Sequence, residues 1–310
     1  MLKLFLILAV SASILFTSTT AFGQQFSVGG KPNEDIVVTI DENGTAHVVH
    51  NVKGPINNPV QVDLITGNMT NFSVIDQNGG AVQYSTLSGL QRAVLLLPSD
   101  RNMTLINYDL PNIVSFNNGI WKWKYYDPPD VLFTDFHFPK GVDMIWSNGR
   151  NEPDTARPVY LGGHGLRAAG NGFIMEYIIN EPVTTQTVQW QDKTFHVGIR
   201  TLANVGSPTF DQPTMSDSFN IDQPNSLITV IMPKDLLWGP YQATMNTNKT
   251  LTTVFHDNGT HTWIGVRPIH SGTVQITGTS VVPEFPLFVP LAIAVSAVIG
   301  LRFFNKLSFK

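Results

Sequence analysis

The residues best placed to do chemistry are two histidines beside a turn. Asn258-Gly259 favours a two-residue hairpin turn. In that register Asp257 opposes Thr260 and His256 opposes His261, which sets two imidazoles side by side on one face. Two neutral imidazoles with a third ligand hold a transition metal. The sequence shows no third ligand, and histidine pairs at exposed turn tips are usually only solvated. Asp127, Asp130 and Asp135 gather hard oxygen donors around Pro128-Pro129, the donor type that calcium takes. Calcium is the cofactor this turn offers, although the spacing matches no recognised calcium loop and Asp beside Pro is also ordinary turn chemistry.

Trp121, Trp123 and Tyr125 alternate with Lys122 and Lys124, so one strand face carries three rings and the other two amines. Such a ring face can stack on sugars, but large aromatics at a period of two are expected in a core. His47 and His50 are three apart on a strand and face opposite ways. His164 lies among glycines with no partner that the sequence pairs with it. There is no Gly-x-Ser-x-Gly elbow, no His-Glu-x-x-His and no Gly-rich phosphate loop. A glycosidase-type carboxylate pair leaves no signature, because its spacing exists only in three dimensions. No catalytic residue is assigned, and the chain is expected not to be an enzyme.

The elements that must position these residues are strands between two targeting segments. Lys3, the apolar stretch Leu4 to Phe16 and Ala21-Phe22-Gly23 read as a signal peptide over residues 1–23, with a mature chain from Gln24. At the other end, Phe285 to Leu301 is a run of about 17 residues without charge, roughly 26 Å as a helix, followed by Arg302, Lys306 and Lys310. Residues 285–304 are expected to cross the membrane, with the basic tail in the cytoplasm and everything before Pro283 outside. Charged residues are only 14% of the chain and the net charge is -4, with no basic cluster outside the tail, so nucleic acid is not an expected partner. The chain has no cysteine, which excludes disulfides and thiolate zinc sites and leaves burial to hold the ectodomain. Asn-x-Ser/Thr sequons at Asn43, Asn68, Asn71, Asn102, Asn248 and Asn258 suggest a glycosylated ectodomain; Asn43-Gly44 and Asn258-Gly259 place theirs at turn tips.

Between those ends, short apolar stretches alternate with turn residues. Ile36–Ile40 and Ala46–Val49 read as a hairpin, Ala93–Leu97 as a strand covered on both faces, and Phe173–Ile179 as a strand following a surface loop over 150–172. A second set follows the Glu181-Pro182 junction, clearest at Phe195–Ile199, Leu227–Ile231, Leu251–Phe255, Thr262–Val266 and Thr273–Thr277. The expected fold is all-β: two tandem β-sandwich (immunoglobulin-like) domains over 24–182 and 183–280, then residues 281–310 as sorting motif, transmembrane helix and tail.

The segment Leu227 to Tyr241, with Pro233-Lys234-Asp235-Leu236-Leu237 at its centre, then Gly278-Thr279 and Pro283-Glu284-Phe285, resembles a family of secreted surface proteins of ammonia-oxidising archaea with a PEF-type C-terminal sorting sequence. Gly119 to Trp123 and Phe138 to Asp143 resemble such proteins less specifically. The resemblance implies export and surface display, with a sorting transpeptidase acting at Pro283-Glu284-Phe285; Pro286 stands where relatives often have Gly. It brings no biochemical activity. The expected role is a membrane-anchored extracellular surface protein, structural, adhesive or part of the cell envelope, with envelope proteins or glycans as partners. The alternative is a surface hydrolase or metal-binding protein whose site is the 150–172 loop, with Asp154 or His164 inside.

Overall fold

The computed structural model describes residues 30–279 except 88–91, 127, 129–130, 148–149, 152–172 and 191. The signal segment, Asp127, Asp130, Asp154, His164, the sorting motif and the 285–304 span therefore lie outside the described residues. Among those described, the regular elements are strands and none is a helix.

The first half contains β1 (Glu34–Ile40), β2 (Ala46–Lys53), β3 (Val60–Asp63), β4 (Thr70–Asp76), β5 (Tyr84–Leu87), β6 (Ala93–Leu96) and β7 (Met103–Leu110). It continues with β8 (Ser115–Asn117), β9 (Ile120–Tyr125), β10 (Val131–His137), β11 (Ile145–Ser147), β12 (Arg150–Asn151) and β13 (Phe173–Tyr177). One five-stranded sheet runs β10-β1-β2-β7-β4, a second β12-β11-β13-β9-β8, and a three-stranded sheet β3-β6-β5. Alternation decides which side is buried: Ile36, Val38 and Ile40 on β1, Ala46, Val48 and Val52 on β2, and Ile106, Tyr108 and Leu110 on β7 point inward. They meet Val94 and Leu96 of the small sheet and Trp123, Tyr125, Ile145, Met175 and Tyr177 of the second large one in a single core. The apolar stretch at Ala93 is the central strand of its sheet, as its lack of alternation suggests.

The second half contains β14 (Val183–Trp190), β15 (Lys193–Arg200), β16 (Thr209–Asp211), β17 (Ser216–Ile221) and β18 (Ile228–Pro233). β19 (Gln242–Met245), β20 (Asn248–Lys249), β21 (Leu251–Asp257), β22 (His261–Arg267) and β23 (Gly272–Thr277) complete it. The sheets β14-β15-β18-β22-β21 and β16-β17-β23-β19-β20 face each other across Val197, Ile199, Val230, Met232, Ile264 and Val266 on one side and Phe219, Ile221, Ala243, Val274 and Ile276 on the other. Each Val, Ile, Met or Phe among them contributes roughly 1.5–3 kcal/mol by leaving water, which is how a chain without disulfides holds together. Among the described residues the protein is all-β, built of β-sandwiches.

The turns differ from the sequence expectation by one residue each. The β1–β2 loop is Glu42-Asn43-Gly44, closed by the Asp41 N–H donating to the Thr45 carbonyl at 3.0 Å, rather than a tight Asn43-Gly44 turn. Asp41 selects the longer loop by accepting the Asn43 and Thr45 N–H groups at 2.8 and 2.9 Å. Gly44 has φ +78°, and a Cβ there would meet the Trp121 ring at 2.6 Å, so this loop is clamped onto the second sheet. β1 also pairs in parallel with β10, a long-range contact that no local pattern announces.

Candidate functional site

The joint between the two cores is built from strand faces that the alternation leaves outside them. On β13, Met175 and Tyr177 point into the first core, so Glu176 points away, directly opposite Lys122 of β9. Arg267, the last residue of β22, reaches Glu176 with both terminal nitrogens, Nη2 lying 3.2 Å from Oε1 while Nη1 donates to Oε2. Lys122 Nζ stands 3.1 Å from the same Oε1. Burial opposes ionisation of Glu176, but the bonds from Arg267 and then Lys122 outweigh it and hold the carboxyl below its usual range.

Beside this pair lies an apolar plug of Trp146, Ile178 and Leu227, with Ile120 and Leu202 packed against it. Gly119, at φ +82°, has no Cβ because one would meet Leu202 at 2.6 Å. A second ion network closes the junction: Arg200 Nε donates to Glu181 and Nη2 to Asp143, each at 3.1 Å. Burial pushes Glu181 up to about 7, although Arg200 pulls it down; Asp143 adds to the rise.

Between the halves is a cleft of about 430 Å³, lined by Asn117, Asn118, Gln223, Asn225, Glu176 and Arg267 among others. Both Glu176 oxygens are engaged, Ser115 donates to the Lys122 carbonyl at 3.0 Å, and Ser226 donates to the Gln223 carbonyl at 2.8 Å. The Arg267–Glu176 pair fastens the joint, whereas the two serine bonds each lie within one half.

The histidines at the turn do not stand opposite each other. The two loop residues are Gly259 and Thr260, with Asn258 N–H donating to the His261 carbonyl at 3.2 Å, so His256 opposes Trp263. Asn258 Oδ1 causes the shift by accepting the Thr260 and His261 N–H groups at 3.0 and 2.8 Å, and the register slips once more between Val254 and His256. The His256 ring lies 4.6 Å and the His261 ring 6.3 Å from Trp263. Asp135, the described member of the calcium trio, is 3.3 Å from His137 Nε2. Among the described residues no three His, Asp or Glu side chains converge as a metal site.

Trp123 and Tyr125 are buried, Trp121 is half-buried against Tyr177, and Lys122 and Lys124 face outward. All six sequon asparagines, Asn43, Asn68, Asn71, Asn102, Asn248 and Asn258, are exposed. His47 and His50 do face opposite ways. His47 is at the surface, 2.7 Å from Asp109, whereas His50 is wholly buried between Glu34 and Tyr108. His50 Nδ1 lies 3.2 Å from Glu34, His50 Nε2 lies 2.8 Å from the Tyr108 hydroxyl, and that hydroxyl accepts the Ile65 N–H at 2.9 Å. The chain of groups has the form of a proton relay, but it is sealed from solvent.

Asp217 was not visible as special in the sequence. It alternates with Phe219 and Ile221 into the second core, where its carboxylate lies near the Gln186 side chain but no well-formed hydrogen bond reaches either oxygen. Burial pushes it up to about 7, and Gln186 offsets only part of that. Polar residues at inward positions of an alternating strand, as at Glu34, His50 and Asp217, are the signal that could have found these groups.

The two segments that carry the resemblance meet in space. The Thr279 N–H donates to the Trp238 carbonyl at 2.9 Å and its hydroxyl to the Gly239 carbonyl at 2.6 Å, over the buried Leu236 and Leu237.

No protein-family model matches the chain, and no curated protein matches it. Among solved structures it is similar to an M1 zinc metallopeptidase from Deinococcus radiodurans at 13% identity and TM-score 0.25, over 54% of this chain and 46% of that one. It is also similar to a multidomain protein including DUF1735 from Bacteroides ovatus at 6% identity and TM-score 0.18, over 81% of this chain and 92% of that one. The chain spans less than half of the peptidase, and likenesses at these TM-scores carry no argument about activity.

Proposed function

We propose that this chain is an extracellular surface protein anchored in the membrane by residues 285–304, with a structural, adhesive or cell-envelope role. The observation that carries the reading is the joint. A half-buried bidentate ion pair, a second ion network and an apolar plug fasten two β-sandwich cores, which suits a stiff extracellular unit better than a site that must open and close. Exposure of every sequon asparagine is compatible with glycans over this surface. The resemblance to archaeal surface proteins with a sorting sequence points the same way.

Intact mass and peptide mapping of protein extracted from native membranes test it. A glycosylated chain from Gln24 to Lys310 is expected for a retained anchor, and one ending at Pro283 to Phe285 for a sorted protein. An unmodified chain that keeps residues 1–23 and stays in the soluble fraction would overturn the reading.

A further inference from the structure

The inference drawn from the Trp238 surface rests on the anchored reading and gives the ectodomain an orientation. Trp238 is the exposed tryptophan among the described residues, at 48%. Its backbone is held rigidly: Leu236 and Leu237 are buried on its N-terminal side, the Tyr241 hydroxyl donates to the Leu237 carbonyl at 2.7 Å, and Thr279 is bonded to Trp238 and Gly239. Lys234 Nζ sits 5.1 Å from the ring centroid and is itself paired with Asp257 at 2.9 Å. Thr279, bonded to the Trp238 backbone, is six Cα steps from Phe285, where the uncharged run begins, so at most about 22 Å of chain separates that backbone from the run.

We propose that this end of the second half rests on the bilayer surface, with the Trp238 indole at headgroup level. An amphipathic ring next to the start of a membrane span is where interfacial tryptophans gain most. Because Lys234 is neutralised by Asp257, and Asp235 beside it is exposed, the contact is one of indole with the lipid interface and needs no anionic lipid. The Lys234 N–H donates to the Thr260 carbonyl at 2.8 Å, which puts the Asn258 sequon at the same end. A glycan there would hold Trp238 off the lipid, so Asn258 is unoccupied while the other sequons are free to carry glycans.

The test uses the full chain in phosphatidylcholine vesicles containing lipid brominated near the headgroup, with flotation to score incorporation. Brominated lipid is expected to quench part of the tryptophan emission, and Trp238→Phe is expected to remove that quenching while leaving the thermal melt unchanged. Equal quenching of both proteins, or full glycan occupancy at Asn258 in the native protein, overturns the orientation alone. Failure of the chain to float with vesicles overturns the anchor and the orientation with it.

Discussion

Arg267 grips both carboxylate oxygens of Glu176, 91 residues earlier in the chain, and so ties the edge of one β-sandwich core to the other. Removing Arg267 leaves a carboxylate that is only 5% exposed with Lys122 as its remaining partner. Arg267→Met should destabilise by less than the roughly 3–5 kcal/mol of a broken buried pair, since Lys122 stays, and Glu176→Gln added to it should recover part of the loss. Denaturant melts of the single and double variants check this. In the unfolded chain Glu176 titrates near 4.5, so the pair's contribution is complete above that value and fades as pH falls through the depressed folded value.

Asp217 has the opposite sign. The unfolded chain releases this proton near 3.8 and the folded chain holds it to about 7, so the group's contribution declines as pH rises between those values. Asp217→Asn should therefore matter little near pH 4 and stabilise above pH 7, by no more than about 4 kcal/mol. Thermal melts across that range decide it; a variant equally destabilised at both ends would contradict the assignment.

The Glu34–His50–Tyr108 chain predicts a graded response. Tyr108→Phe removes the acceptor of the Ile65 N–H and the partner of His50 Nε2, at a cost of about 1–3 kcal/mol. His50→Leu leaves Glu34, which is fully buried, without its imidazole and should cost more. Urea denaturation measures both, and the reverse order would show that Glu34 is not held by His50.

Two turn glycines separate backbone strain from packing. Gly259→Ala meets open space and carries only the left-handed penalty of about 1–2 kcal/mol, whereas Gly44→Ala adds a clash with Trp121. Gly44→Ala should lower the melting temperature distinctly more, and equal shifts would mean that the loop yields without cost.

By itself, the sequence determined the β class and the faces of individual strands. Trp123 and Tyr125 go inward with Lys122 and Lys124 outward, and His47 and His50 diverge, because side-chain direction in a strand is a period-two property set by the local backbone. It also marked the turns, but not their register. Asp41 and Asn258 each moved a turn by offering a carboxylate or amide oxygen to backbone N–H groups, and that moved His256 from His261 to Trp263. Only the tertiary structure decided which strands far apart in the chain became neighbours, whereas the β1–β2 hairpin was legible locally. The parallel pairing of β1 with β10, the grip of Arg267 on Glu176 and the meeting of Trp238 with Thr279 all join residues far apart in the chain. Such contacts depend on how whole sheets pack, which no local pattern of side chains encodes.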